Sequence, residues 1–198
     1  MNESEIKKIF LEKQALLEGH FQLTSGLHSD SYMQCSQVLQ HPHVAEVLGE
    51  ALAQMIREEN AGVPVKVDVV CSPAIGGIVL GHVVARAFNA RAIFAERENG
   101  AGPLILRRGF SLAPGESVLA VEDVITTGGS LKEIVQLVQN SGAKLMGVAS
   151  LLERSVVPVS FGSAKTILLK LPLRTFQKED CPMCKQGTPA VKPGSRKS

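Results

Sequence analysis

Nowhere in its 198 residues does the chain approach the ~20 consecutive apolar residues that a membrane-spanning helix needs. Its first ten residues place Glu5, Lys7 and Lys8 among the apolar ones, which a secretory signal would not do. Net charge is only +2, too little for a broad nucleic-acid-binding surface. The four cysteines are two isolated residues, Cys35 and Cys71, and one CxxC, Cys181 and Cys184. They make no disulfide framework, so a reducing cytoplasm is the expected compartment. The lysine-containing phosphate loop of nucleotide hydrolases is missing, as is a GxGxxG after a strand for a dinucleotide. Internal repeats are absent too. What these exclusions leave is a soluble globular protein, long enough for one well-buried domain with a small appendage. A hydrophobic content of 44% and a charged content of 20% fit that class.

The most informative stretch is Val118–Ser130, VLAVEDVITTGGS. An apolar run, Val118–Val121, ends in two adjacent carboxylates, Glu122 and Asp123. Thr126-Thr127-Gly128-Gly129-Ser130 follows, and then a helical pattern over Leu131–Asn140. A hydroxyl- and glycine-rich loop at a helix N-terminus suits a phosphate. The acids lie too close to that loop to hold phosphate themselves, and face sugar hydroxyls or a positive charge developing during reaction.

Around this stretch the chain alternates short strands and helices. Ile6, Ile9, Phe10, Ala15, Leu16 and Leu17 predict an amphipathic helix over Ser4–Glu18, stopped by Gly19. A polar segment, Thr24–Tyr32, comes next. Pro42 opens a helix to about Asn60. Val67–Cys71 reads as a strand, Ser72–Gly77 as a loop, and Ile78–Phe88 as a helix. Ala90–Ala95 reads as a strand and Glu96–Gly109 as a loop. Strands over Lys144–Leu152 and Thr166–Leu171 complete the pattern, and the tail Gln186–Ser198 is expected to be poorly structured. The repetition predicts an α/β fold with a mostly parallel central sheet flanked by helices. In such sheets ligands collect beyond the carboxyl ends of the strands. Ser72–Gly77, Glu96–Gly109, Glu122–Ser130 and Glu153-Arg154 would then share one rim.

VLAVEDVITTGGS closely resembles the phosphoribosyl-diphosphate (PRPP) signature of the type I phosphoribosyltransferases. Within that family the chain most resembles the orotate phosphoribosyltransferases. Gly19–Ser29 is similar to their N-terminal hood over the base, and Ser72–Gly77 to their diphosphate loop. Glu96-Arg97 and Arg107-Arg108 flank the counterpart of their mobile catalytic loop, and Arg154 falls at their orotate-contacting arginine. The resemblance implies a type I phosphoribosyltransferase fold, with one domain over 1–180 (hood about 1–40) and a partly flexible tail, 181–198.

The activity so implied joins orotate to the ribose of PRPP, giving orotidine 5′-monophosphate and diphosphate. Glu122, Asp123 and Arg97 would be the catalytic residues. PRPP would be held by these three together with Val124, Ile125, Thr126, Thr127, Gly128, Gly129, Ser130, Ala74, Gly76, Gly77 and Arg108. Orotate would meet Thr126, Arg154, Ser25 and Gly26. Mg²⁺ is implied as cofactor, held mainly through PRPP and water with no protein ligand assigned. A homodimer is implied as well, the 96–109 loop reaching the neighbouring subunit's site, with neither nucleic acid nor membrane as partner.

Two departures from the family pattern stand out. The 99–106 segment lacks the lysines and histidine common in relatives, and Gly76 and Thr24 stand where many relatives have lysine. Two other readings stay open at this point: a purine phosphoribosyltransferase, or a PRPP-binding regulator with little activity. The hood and Arg154 weigh against a purine. The short N-terminal segment and the +2 charge weigh against a regulator. Cys181 and Cys184 are half of a zinc site with no second CxxC or HxxxH, to be completed by Cys35 or Cys71 if the fold brings them near, or by two tail subunits sharing a zinc. A turn with two free thiols is expected. His20 and His28 are candidates either for substrate contact or for hydrogen bonding on the hood surface, and His41 and His43 are read as structural.

Overall fold

The computed structural model describes every residue apart from 24, 61, 62, 173 and 194–198. Asn2 caps helix α1 (Glu3–Glu12) through a reciprocal bond with Glu5, and Ile6 and Phe10 bury its inner face. The helix stops six residues before the Glu18 expected from periodicity. Gln14 takes a left-handed φ of 53°, and the chain leaves as strand β1 (Leu16–Gln22). Leu16, read as helical, instead pairs with Met33 across an antiparallel hairpin with β2 (His28–Met33). A short two-residue run of leucines fits either period, and the turn at Gln14 decided it.

A short turn of helix α2 (Ser36–Leu39) leads to α3 (Pro42–Glu59), whose start at Pro42 is as predicted. Then come β3 (Val69–Pro73), α4 (Gly77–Phe88), β4 (Arg91–Glu98), β5 (Ala101–Leu106) and β6 (Ser117–Ile125). Helix α5 (Gly129–Asn140), β7 (Lys144–Glu153), β8 (Lys165–Lys170), the two-residue β9 (Thr175–Phe176) and α6 (Pro182–Lys185) complete the chain.

The main sheet has the order β5-β4-β3-β6-β7-β8, parallel except where β5 meets β4. Period-2 alternation sorts its side chains to two faces. Val70, Leu119, Val121 and Leu151 pack with α1, α3 and α4, while Val69, Val118, Ala120 and Val148 pack with Leu131, Ile134 and Val138 of α5. With both faces covered, the strands must be apolar throughout, which is why they were legible as runs. From β3 the chain winds outward to β4, and from β6 it winds the opposite way to β7. The crevice between β3 and β6 is therefore the switch point where open α/β sheets hold ligands.

The Glu96–Gly109 segment is not a loop. Asn99 and Gly100 both have positive φ, 52° and 76°, and join β4 to β5 as a two-residue hairpin between Glu98 and Ala101. Asn-Gly is the favoured pair for such a turn. The hairpin is pinned to its own α5: Glu133 accepts from the Leu104 amide at 2.7 Å and from Arg97 at 2.6 and 3.1 Å.

The second sheet is β1-β2-β9, and so joins the chain's two ends. The tail keeps going past it in order. Cys181 is fully buried, and Val191 exchanges 2.8 Å backbone bonds with His20 and Gln22. The disorder expected from Gln186 onward thus does not hold as far as Val191. Thr24 and residues 194–198 lie outside the described residues.

Candidate active site

Two helix N-termini face the β3/β6 crevice. Helix α4 begins after Gly76 and α5 after Gly128, and neither N-cap makes a side-chain capping bond. Apart from the Ile78 amide, which donates to the Ile75 carbonyl at 3.2 Å, their first-turn N–H groups are left to meet oxyanions, with the helix dipole behind them. Thr126, Thr127 and Gly129 are exposed and Ser130 half-buried, so the loop adds hydroxyls to those amides.

Two glycines make this geometry possible. A Cβ on Gly76 would stand 2.7 Å from an Asp123 carboxylate oxygen, so only glycine lets the loop after β3 come this close to the acids. Gly128 has φ +75°, and a Cβ there would lie 2.6 Å from Val159 Cγ1 and 3.0 Å from Phe161 Cζ. Gly128→Ala is therefore expected to lower stability by roughly 1–3 kcal/mol through left-handed strain and the clash. Chemical denaturation would measure it, and a change near zero would mean that the loop refolds freely.

The acids lie at the carboxyl end of β6, half-buried. Ser150 holds the Asp123 carbonyl at 3.1 Å and so fixes the strand end. Among the described residues no lysine or arginine pairs with either carboxylate. Burial, and then the charge of Asp123, push Glu122 up to about 7, with the Ser130 hydroxyl pulling the other way. Burial also raises Asp123, against bonds from the backbone amides of Val124 and of Asp123 itself. Two desolvated acids without a counter-charge are held ready for a cationic or polyhydroxyl guest. They also fit a divalent ion carried in by an oxygen-rich ligand.

That arrangement has a measurable cost in the ligand-free protein. Glu122 holds its proton more tightly folded than unfolded, so its contribution is full below its ordinary value of 4.5. It falls as pH rises to about 7 and is flat above that. Glu122→Gln should accordingly raise stability by about 1–3 kcal/mol at alkaline pH and hardly at all near pH ~4.5. Urea unfolding at both pH values, without PRPP or Mg²⁺, reads the difference. The same gain at both would exclude titration of Glu122 as its source.

A cleft of about 560 Å³ opens beside the acids. Its walls include Thr126 and Thr127 of the loop, Arg154, Ser155, and Ser25, Leu27 and Tyr32 of the hood. Arg154 follows β7, and its amide donates to the Ile125 carbonyl at 3.0 Å, which sets it next to the loop. Its guanidinium is half-buried with no carboxylate partner among the described residues, and burial draws it below its ordinary value. An arginine keeps its charge under that pressure, so it is an anion receptor awaiting an anion.

The predicted site residues thus divide. Gly76 meets Asp123 and Gly77 the Val121 carbonyl at the crevice, while the Ala74 amide donates to the Ala95 carbonyl at 2.8 Å; Thr126, Arg154 and Ser25 share the cleft. Gly26 is not part of the cleft wall; it turns the hood loop with φ 87°. Arg97 and Arg108 are engaged elsewhere: Arg97 with Glu133 and the Gly102 carbonyl, Arg108 with Glu96 at 2.9 and 3.0 Å. Tyr32, Ser155 and Thr175 line the cleft without having been singled out by the sequence. Thr175 arrives on β9 from the far end of the chain, which no local motif signals.

Residues 34–158 match the family model for the phosphoribosyl transferase domain. The chain is 49% identical over 193 residues to orotate phosphoribosyltransferase of Carboxydothermus hydrogenoformans, covering 98% of each. It is 49% identical over 191 residues to that of Thermotoga maritima, covering 96% of this chain and 98% of the relative. The chain belongs to the orotate phosphoribosyltransferase family. Its fold matches the crystal structure of orotate phosphoribosyltransferase from Aeropyrum pernix, with a TM-score of 0.68 at 19% identity, over 84% of this chain and 93% of that one. The family's mostly parallel sheet and flanking helices are those described above.

Proposed function

We propose that the chain transfers the 5-phosphoribosyl group of PRPP to orotate, yielding orotidine 5′-monophosphate and diphosphate, a step of pyrimidine biosynthesis. The observation that carries the choice of base is Arg154. It is a half-buried, unpaired guanidinium in the cleft beside the phosphate loop, and orotate is a pyrimidine that brings a carboxylate.

The amides and hydroxyls of Thr126–Ser130 hold the ribose 5-phosphate and fix the anomeric carbon against the base. Glu122 and Asp123 hold the ribose hydroxyls. As the bond to diphosphate breaks, the ribose becomes cation-like, and the two carboxylates stabilise that charge electrostatically without attacking it. The α4 N-terminus at Gly76 and Gly77 takes the diphosphate oxygens. Mg²⁺, when bound with PRPP, supplies charge neutralisation of the diphosphate. Ser25, Leu27 and Tyr32 of the hood exclude water from the base side.

Arg97 and Arg108 act in a homodimer, where the 96–109 hairpin reaches the neighbouring subunit's site. They exchange Glu133 and Glu96 for diphosphate oxygens. The Arg108–Glu96 pair, with its arginine exposed, is worth about 0–1 kcal/mol and yields readily; the Arg97–Glu133 pair is half-buried, and Glu133 keeps its bond from the Leu104 amide when Arg97 leaves. The catalytic unit is one domain over residues 1–180, with 181–198 as its tail, and the enzyme works in the cytoplasm. No helix of the described residues is long and apolar enough to cross a membrane.

The test is to incubate the protein with PRPP and Mg²⁺ and follow consumption of orotate beside uracil, adenine, guanine and hypoxanthine. Orotate alone should be consumed. Consumption of a purine alone would overturn the choice of base, and PRPP binding without consumption of any base would favour a regulator.

A further inference from the structure

The CxxC at the tail has partners that its spacing did not reveal. Cys181 precedes α6 and Cys184 lies within it. Opposite them stand His20 on β1 and His28 on β2, more than 150 residues away in sequence. His20 Nε2 is 3.5 Å from Cys181 Sγ, 3.7 Å from Cys184 Sγ and 2.7 Å from His28 Nδ1. Cys184 Sγ is 3.3 Å from His28 Nδ1, and the four atoms all lie within 4.8 Å of one another. Cys181, His20 and His28 are buried and Cys184 half-buried. Neither Cys35 nor Cys71 takes part, so the residues that sequence spacing offered as completing ligands are not the ones the fold supplies.

We infer that His20, His28, Cys181 and Cys184 form a zinc site that fastens the C-terminal tail to the hood. The hydrogen-bond inventory supports a cation at its centre. His20 Nδ1 lies 2.7 Å from the Thr188 carbonyl, an acceptor only, so Nδ1 carries the proton and Nε2 presents a bare lone pair to the cluster. One proton can satisfy that lone pair, yet three other donor atoms converge on the same point. A single cation satisfies all four together. The bond from Nδ1 to a backbone carbonyl is also how metal-ligating histidines are usually oriented. A zinc tetrahedron of two sulfurs and two nitrogens has edges of about 3.3–3.8 Å, given its usual bond lengths. Three of the four distances, 3.3, 3.5 and 3.7 Å, fall in that range. The 2.7 Å between the two imidazole nitrogens is shorter, a hydrogen-bond distance that a bound cation would widen by about 0.6 Å. Two thiolates with two imidazoles suit zinc, whereas hard ions such as Mg²⁺ prefer oxygen.

The site has a structural task. The hood sheet has three short strands, one of only two residues, and small elements of this kind often depend on a staple. A closed four-ligand site supplies binding energy directly to the folded arrangement. Because Ser25, Tyr32 and Thr175 reach the base-side cleft from this sheet or its connection, the metal holds their spacing. The inference rests on the cluster alone and stands whichever base the enzyme uses.

The test uses the untagged full-length protein, purified under reducing conditions without chelator. Elemental analysis should find about one zinc per chain, and Co²⁺ substitution should give the intense visible bands of tetrahedral coordination with a sulfur-to-metal charge-transfer band. Cys184→Ser and His28→Ala should each weaken zinc at least ~10-fold in chelator competition, while Cys35→Ser keeps full stoichiometry. Metal-free protein that takes up no zinc when it is supplied would overturn the inference. A weak six-coordinate cobalt spectrum, a Cys181–Cys184 disulfide in the reduced preparation, or undiminished zinc affinity in Cys184→Ser would do the same. The cobalt spectrum needs no variant, so the question is decided even if the substitutions prevent folding.

Discussion

Asp123→Asn should lower turnover about 100- to 1,000-fold while leaving PRPP affinity within a few-fold. The asymmetry follows from when the charge is needed. In the ground state the ribose is neutral, and an amide of the same shape still accepts a bond from a hydroxyl. In the transition state the sugar carries positive character, and a carboxylate in a desolvated crevice then gains far more than an amide does. The proposed role draws on Asp123 being half-buried and free of any lysine or arginine among the described residues, with its strand end fixed by Ser150. The chain also lacks the usual lysine at Gly76, so few cations compete for the acid's field. Turnover measured at saturating PRPP, beside PRPP affinity from calorimetry, separates the two quantities. Equal losses in both would make Asp123 a residue of ground-state binding.

Arg154→Ala should raise the orotate KM roughly 10- to 150-fold, equivalent to the loss of a charge-assisted contact of about 1.5–3 kcal/mol. The KM for PRPP should hardly change if Arg154 serves the base as proposed, since it lines the cleft of Ser25 and Tyr32 and not the α4 N-terminus. Selectivity gives a second readout. Uracil is the same ring without the carboxylate, so the variant should lose most of its preference for orotate over uracil. Arg154→Lys should recover part of the loss, since it keeps the charge without the planar fork. An orotate KM that stays put, or a preference over uracil that survives, would remove Arg154 from base recognition.

The features that sequence made legible were those in which several local signals coincided. Apolar strand, acid pair and TTGGS stand in one run of thirteen residues, and the sheet order then places Gly76 against Asp123 as an α/β crevice requires. Pro42 and the apolar face behind it located α3 almost to the residue. The failures have physical causes too. Leu16 and Leu17 fit the helical period, but Gln14 turned the chain before them. Asn99-Gly100 was a hairpin signal hidden among glycines and a proline that read as loop, and the acceptor that pins the hairpin, Glu133, lies on another element. Arg97 and Arg108 were placed by resemblance, and nothing in their own neighbourhood announced Glu133 or Glu96 as partners. The cluster of His20, His28, Cys181 and Cys184 was the least legible. Each half looks ordinary alone, and only the tertiary path brings them together.

That path has a temporal consequence. The β1-β2 hairpin is made more than 140 residues before its third strand, Thr175–Phe176, and the cysteines against it follow that strand. The central sheet has every strand by Lys170 and is free to assemble before then. The β1-β2-β9 sheet must wait for Thr175–Phe176. A polypeptide ending short of Thr175 would carry the β3/β6 crevice without the full wall of the neighbouring cleft. The cleft wall that Thr175 supplies is thus the last part of the described cleft to be made.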